Sequence, residues 1–151
     1  MAQRQQFVLE KVNQSAVILA IGPGKTIALV IEPDKPLPLY WKGFGGEGDD
    51  GESPEEVAAR ETEEEIGLRF DPEDFIQIGE PLLLGEHTKY HFLVFASSWE
   101  GLKKRGDEGE IVQIFDLAAI GRLNFLPIQA RWWNAHHAEL AAHGVNLPDL
   151  S

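Results

Sequence analysis

The sequence predicts an α/β protein of the α+β type, in which strands of a mixed sheet pack with helices. Two runs of β-branched and aliphatic residues, 15–21 and 26–31, are joined by the turn-forming residues 22–25, which is the pattern of a hairpin. A strongly capped helix follows, and the later strands and helix do not alternate as regular βαβ units. At 151 residues the chain has the length of one domain, and we expect residues 1–151 to form it.

The other elements are predicted from the same patterns. Three prolines within residues 32–39 indicate a loop, and the glycine-dense residues 43–51 indicate a turn. The later part of the chain is expected to contain strands at 75–84, 88–97 and 111–115, a charged loop at 101–109, and a second helix at 127–142.

The composition excludes several classes of function. The chain has 25 acidic and 13 basic residues and a formal net charge of -12, so it repels duplex nucleic acid and anionic membranes, and neither is expected as a partner. It has no cysteine, which excludes disulfides, thiolate metal sites and thiol nucleophiles. The longest apolar run, residues 16–21, is too short to span a bilayer. With no signal-peptide pattern at the N-terminus, we expect a soluble cytoplasmic protein.

The clearest helix follows the glycine-dense stretch. Ser53 is a favourable N-cap, Pro54 suits the first helical position, and Glu56 completes a capping box with Ser53. Gly67 is expected to end the helix. At about 100° per residue, one face is apolar enough to pack on the core. That face consists of Ala58, Ala59, Thr62 and Ile66.

Three glutamates, Glu61, Glu64 and Glu65, share another face of this helix, whereas Glu63 points elsewhere. A charge run on a helix is most often a solvated face, and that is the alternative here. However, no lysine offsets these like charges, which repel by roughly 0.2–0.5 kcal/mol per pair at this spacing. The helix dipole also disfavours anions in the last turns. Carboxylates fixed on one face suit a hard divalent cation such as Mg²⁺, and we prefer this interpretation.

The residues before the helix add complementary groups. Gly45 and Gly46 allow the main chain to approach a ligand closely, and a carbonyl of this turn is a further candidate metal ligand. Glu52 is near enough in sequence to pair with Arg60 or to assist a metal site. We favour a structural role for Arg60.

Residues 46–68 together resemble the Nudix box, G-x5-E-x7-R-E-U-x-E-E-x-G-U, in which U is a bulky aliphatic residue. Thr62 stands at a position that is normally aliphatic, and Phe44 stands where many members have proline. The match has many fixed positions and is therefore specific. Those positions are occupied by Gly46, Glu52, Arg60, Glu61, Glu64, Glu65, Gly67 and Leu68.

The resemblance implies a Nudix-type α/β/α sandwich and a hydrolase that cleaves a nucleoside diphosphate linked to a moiety X. In the family, carboxylates of the box bind Mg²⁺ or Mn²⁺, and a glutamate deprotonates or orients the attacking water. It implies that Glu61, Glu64 and Glu65 are metal ligands or the base, and that the Gly45 carbonyl is a further ligand. The partner is then a small nucleotide substrate, which an acidic protein reaches through the cation. Relatives are often homodimers.

Many members of the family place another acid outside the box, on a loop before a late strand. The candidates here are Asp107, Glu108 and Glu110, of which Glu108 best fits the spacing. Ordinary loop solubility is the alternative for Glu108.

The sequence does not specify the substrate. Tyr40 and Trp41 are candidates for stacking on a base or ribose, with packing as the alternative. His87, Lys89 and His91 alternate along one face of a predicted strand and are candidates for phosphate contacts, with a solvated sheet face as the alternative.

Two functions without hydrolysis compete with this prediction: a ligand sensor or partner-binding domain of Nudix fold, and an acidic metal-binding domain without turnover. The intact set of Glu61, Glu64 and Glu65 argues against a sensor, because a sensor does not need a base beside the metal ligands.

Overall fold

Residues 13–151 are described by the computed structural model, and their eight strands form one mixed sheet. The strands are β1 (Asn13–Gly22), β2 (Thr26–Ile31), β3 (Trp41–Lys42), β4 (Phe44–Glu47), β5 (Ile76–Gln77), β6 (Leu82–Leu84), β7 (His87–Phe95) and β8 (Ile111–Asp116). The α-helices are α1 (Pro54–Ile66), α2 (Pro127–Ala135) and α3 (His137–Ala142), and short 3-10 helices cover Pro72–Asp74 and Leu117–Arg122.

Strand β1 organises the sheet. It runs parallel to β7 along most of its length, while its first half pairs antiparallel with β4 and its last residues pair antiparallel with β2. Strands β3 and β8 pair with β2, and β5 and β6 pair with the other side of β7. The sheet is thus mixed, and the predicted α+β class and the hairpin of β1 and β2 are confirmed.

The two faces of β1 are both apolar, because the sheet has a core on each side. Alternate residues enter different cores: Val17, Leu19 and Ile21 enter one, and Ala16, Ile18 and Ala20 enter the other. The first core also contains Trp133 of α2 and Leu140 of α3. The second contains Val57 and Ile66 of α1. Fully burying a side chain of this size contributes about 1.5–3 kcal/mol, so these contacts fix α1 against the sheet.

Two predicted elements are each divided in the structure. The strand expected at 75–84 is two short strands, β5 and β6, because Gly79 adopts a φ of +72° and its N–H donates to the carboxylate of Glu139 on α3. The helix expected at 127–142 is two helices that meet at His136. There the His136 Nδ1 lies 2.7 Å from the carbonyl oxygen of Trp132, a backbone acceptor that a continuous helix would use.

The glycine-dense stretch, predicted as a turn, contains a strand. Residues 44–47 form β4 and pair with residues 15–18 of β1, which places Gly45 and Gly46 directly against the sheet. None of the helices formed by residues 13–151 is long and apolar enough to cross a membrane.

Candidate metal and substrate site

Helix α1 begins and ends where its local signals require. The Ser53 side chain accepts from the Glu56 N–H at 3.1 Å, and the Glu56 carboxylate accepts from the Ser53 N–H at 2.8 Å, which is the predicted capping box. Gly67, with a φ of +81°, ends the helix. Thr62 stands at the position of the motif that is normally aliphatic. Its buried hydroxyl is not left without a partner, because it donates to the Ala58 carbonyl at 2.6 Å.

Strand β4 lies so close to its neighbours that Gly45 and Gly46 have no room for a side chain. A Cβ on Gly45 would lie 1.8 Å from the Ala16 carbonyl oxygen, and one on Gly46 would lie 2.3 Å from a Glu61 carboxylate oxygen. The Gly45 N–H donates to the Glu65 carboxylate at 2.7 Å. The main chain of Gly45 and Gly46 therefore lies directly against the carboxylates of Glu61 and Glu65.

Between β4, α1 and the loop before β8 lies a cavity of about 480 Å³, which we call the acidic cleft. Three of its carboxylates come from α1, and three come from the loop before β8. The cleft is lined by Gly45, Gly46, Glu47, Asp49, Arg60, Glu61, Glu64, Glu65, Asp107, Glu108 and Glu110. The structure thus brings the three glutamates of the predicted face together, whereas Glu63 pairs with Arg69 outside the cleft at 3.0 Å.

Arg60 connects the helix to the strand and to the residues before the helix. Its guanidinium contacts Glu52 at 2.9 and 3.0 Å and donates to the Glu47 carbonyl at 2.9 Å. It also lies 3.2 Å from Glu61 and 3.3 Å from Glu64. The hydrogen bonds with Arg60 lower the pKa of Glu52 below its usual range. Arg60 therefore compensates part of the negative charge at this end of the cleft.

The carboxylates deep in the cleft are destabilised as anions. Burial, followed by the charge of Glu64, raises the pKa of Glu61 to about 7. Burial, followed by a hydrogen bond with Glu110, raises the pKa of Glu65 to about 9. A bound divalent cation would relieve this repulsion, and carboxylate and carbonyl oxygens are the donors that Mg²⁺ and Mn²⁺ prefer.

In this structure the glutamate side chains are arranged around Arg60. Among residues 13–151, no three acidic or histidine side chains are grouped tightly enough to hold a metal ion as they stand. Glu61 and Glu64 would have to leave Arg60 to bind a cation together with Glu65 and the Gly45 main chain. The donors themselves, carboxylate and carbonyl oxygens, fit a divalent cation.

The loop before β8 contributes acids in two ways. Glu110 is 6% exposed, shares a hydrogen bond with Glu65, and accepts from the Glu108 N–H at 3.1 Å. Glu108 is exposed at the rim of the cleft, and its charge adds to the rise in the pKa of Glu61. The spacing in the sequence favoured Glu108, but the structure places Glu110 deeper and nearer the helix.

The predicted substrate contacts are dispersed. Trp41 packs edge-on against Phe115 with 4.8 Å between ring centroids, and Tyr40 borders a separate recess beside Lys42. The His87 ring lies 2.8 Å from the Ser15 hydroxyl. The two aromatic residues therefore lie outside the acidic cleft.

Lys89 and His91 lie on the same face of β7 but in different environments. Lys89 lines a groove beside β4, whereas His91 is 3% exposed and stacks on Trp132 at 3.9 Å. Burial, then the charges of Lys89 and His136, lower the pKa of His91 to about 3. His91 is therefore a neutral packing residue, in contrast to the exposed phosphate contact that strand alternation suggested.

Comparisons with known proteins agree with this geometry. The NUDIX domain family matches residues 11–140. A MutT structure from work on Aliivibrio salmonicida and Vibrio cholerae is similar with a TM-score of 0.67 and 20% identity, over 85% of this chain and 99% of that one. The Nudix hydrolase RenU from M. smegmatis is similar with a TM-score of 0.64 and 17% identity, over 92% and 89%.

A NUDIX-family hydrolase from Clostridium perfringens is similar with a TM-score of 0.61 and 16% identity, over 83% of this chain and 96% of that one. At these identities the solved structures support the fold, whereas the family match covers most of the sequence and includes the acidic helix and its glycine strand. This chain belongs to the Nudix family.

Proposed function

We propose that this Nudix hydrolase uses a divalent metal ion to cleave the diphosphate linkage of a small nucleoside diphosphate derivative. The observation that carries the proposal is the convergence of Glu61, Glu64 and Glu65 with the Gly45–Gly46 main chain in one cleft. So many carboxylates in one cleft would repel a diphosphate that approached them directly, because both are negatively charged. They are suited to binding it through a cation.

Glu61, Glu64 and Glu65 would hold the cation, Mg²⁺ or Mn²⁺, with the Gly45 carbonyl as a further ligand. When bound, the cation neutralises the diphosphate and lowers the pKa of the attacking water. Because Glu65 accepts from the Gly45 N–H, the helix and the glycine strand are joined at the proposed ligands themselves.

The residues around the ligands hold them in position and take up a proton. Arg60 and Glu52 fix the start of the helix against β4 and keep Glu61 and Glu64 within reach of the cleft. One of the cleft glutamates accepts the proton of the attacking water, and Glu108 and Glu110 are the acids outside the helix that supplement this set. The absence of a side chain at Gly46 lets the Glu61 carboxylate lie directly against the glycine main chain.

The direct test is phosphate or pyrophosphate release from nucleoside triphosphates, nucleotide sugars, dinucleoside polyphosphates and ADP-ribose, with Mg²⁺ or Mn²⁺ and an EDTA control. We expect Glu64→Gln to lower kcat by roughly 100-fold or more, because it removes a charged ligand or base. Glu63→Gln is the matched control, since Glu63 lies on the same helix and pairs with Arg69 outside the cleft.

Equal loss of activity in Glu63→Gln and Glu64→Gln would contradict the assignment of the cleft. Absence of turnover across the panel, in a folded protein that binds Mn²⁺, would favour the sensor or the non-catalytic metal-binding domain. Circular dichroism of each variant establishes that the comparison is between folded proteins.

A further inference from the structure

A groove next to the acidic cleft has the opposite chemical character. It consists of two adjoining cavities of about 350 and 300 Å³, and we call it the basic groove. Gly45, Gly46 and Glu47 border both the cleft and the first of these cavities. Lys89 and Gln129 border both parts of the groove, whose far end is apolar and contains Leu82, Ile128 and Trp132.

The charges of the two regions differ sharply. Eight acidic residues and one arginine line the cleft. The walls of the groove contain a single acid, Glu47, at the border with the cleft, together with Lys42, Lys89 and Arg131. In a chain with 25 acidic and 13 basic residues, a groove nearly free of acids is unusual. It complements an anionic ligand.

Lys89 is the cation best placed to contact such a ligand. Lys42 pairs with Glu32, and Arg131 is exposed at the outer end. Lys89 is half-buried in the middle of the groove, and within residues 13–151 its ammonium forms no ion pair or hydrogen bond. The Gln129 amide, its neighbour in the groove, is already bonded to Gly43. Among Lys42, Lys89 and Arg131, Lys89 is therefore the cation that is both half-buried and unpaired. Two ring nitrogens in the same groove, His91 Nδ1 and Trp132 Nε1, also have no hydrogen-bond partner within residues 13–151.

We propose that the basic groove binds an anionic group, a phosphate or a carboxylate, on the part of the substrate beyond the scissile diphosphate. Lys89 is the specificity-determining residue for that group, and the apolar residues at the far end accept the remainder of the moiety. This inference rests on the proposed function, because it assumes that the diphosphate lies in the acidic cleft. It narrows the substrates to nucleoside diphosphate derivatives with a second negative centre.

The test uses two pairs of compounds that differ by one anionic group. UDP-glucuronic acid and UDP-glucose differ by a carboxylate, and NADP⁺ and NAD⁺ differ by a phosphate. Affinities are measured by calorimetry with Ca²⁺ in place of Mg²⁺, using wild type, Lys89→Met and Lys89→Arg. Hydrolysis is measured separately with Mg²⁺. Lys104→Met is the matched control, since Lys104 is exposed outside both the cleft and the groove.

We expect wild type to bind the anionic member of at least one pair about tenfold more tightly than the neutral member, as for one charge-assisted hydrogen bond. Lys89→Met should abolish this preference, while Lys89→Arg and Lys104→Met retain it. Preference within the sugar pair alone identifies a carboxylate, and preference within the dinucleotide pair alone identifies a phosphate.

Equal affinities within both pairs, binding of none of the four compounds, or a preference that survives in Lys89→Met would overturn the inference. Hydrolysis without a preference for the anionic member of either pair would refute the proposed role of the basic groove and leave the proposed hydrolase activity standing. A Lys89-dependent preference without hydrolysis of any substrate would refute the proposed activity and leave the role of the groove standing.

Discussion

Three consecutive glutamates, Glu63, Glu64 and Glu65, meet three different environments because successive residues of a helix diverge by about 100°. Glu63 pairs with Arg69 at the surface, Glu64 lies beside Arg60, and Glu65 is buried against the Gly45 main chain. Burial is the largest cause that raises the pKa of Glu65 to about 9, followed by a hydrogen bond with Glu110.

Burial also determines the titration of His91, and it makes the stability of the fold dependent on pH. The folded pKa of His91 is about 3, below the unfolded value of about 6.5, so between these values the unfolded state binds the proton. Stability therefore decreases as the pH falls from about 6.5 towards 3. From pH 7 to pH 5 this single group should cost about 2 kcal/mol.

Urea unfolding at pH 7 and pH 5 tests this prediction. His91→Phe keeps an aromatic ring against Trp132 and removes the titration, so it should lose about 2 kcal/mol less than wild type between the two pH values. His143→Phe, at an exposed position, should follow the wild type. Identical pH dependence in wild type and His91→Phe would show that His91 is not the responsible group.

At the scale of elements, prediction succeeded where the determining signals are local. Helix α1 is specified by Ser53, Glu56 and Gly67, all within the helix or at its ends, and it was predicted with its correct bounds. The division of the predicted strand at 75–84 depends on a bond between Gly79 and Glu139, which are 60 residues apart. The hydrophobic periodicity of a single segment cannot predict a contact between residues so far apart.

In the candidate site, too, features specified by local sequence could be predicted, whereas features that depend on contacts between distant residues could not. The glutamate face of α1 could be predicted from helical periodicity, and its position against Gly45 and Gly46 agrees with the expected approach of the main chain. The depth of Glu110 was not predictable, because it depends on how the loop folds onto the helix, where the Asp107 N–H donates to the Glu64 carbonyl at 3.2 Å. The basic groove was also missed, since it is assembled from five separate strands and a helix.

One contact between distant elements supports the glycine strand from the opposite side. Gln129 of α2 is 8% exposed, and its side-chain oxygen accepts from the Gly43 N–H at 2.8 Å. No residue with a side chain fits in place of Gly43, because a Cβ there would lie 2.7 Å from the Ile18 carbonyl oxygen. The bond therefore fixes the backbone just before Gly45.

Gln129→Met should leave the Gly43 N–H buried without a partner and lower the free energy of unfolding by about 1–3 kcal/mol. Because Gly45 follows two residues later, we also expect weaker Mn²⁺ binding, measured by electron paramagnetic resonance. Gln113→Met, at an exposed position of β8, should change neither quantity. A loss of stability with unchanged Mn²⁺ affinity would restrict Gln129 to a role in packing.

At the scale of the whole molecule, the excess of negative charge is distributed unevenly. With a net charge of -12, the protein concentrates eight carboxylates around one cleft and leaves the adjoining groove basic. Repulsion within the cleft opposes folding, so the fold retains an arrangement that is unfavourable without a counter-ion. A cation that binds there should therefore stabilise the folded chain as well as serve the reaction.

Thermal unfolding with and without Mn²⁺ tests this link between charge and stability. At a Mn²⁺ concentration one hundred times its Kd, binding to the folded state alone adds about 2.7 kcal/mol, which raises Tm by roughly 5–10 °C for a chain of this size. Glu64→Gln should lose most of this shift, and Glu63→Gln should keep it, because Glu64 lines the cleft and Glu63 does not. EDTA should reverse the shift in wild type. An equal Mn²⁺ shift in Glu64→Gln and wild type would place the stabilising cation outside the acidic cleft.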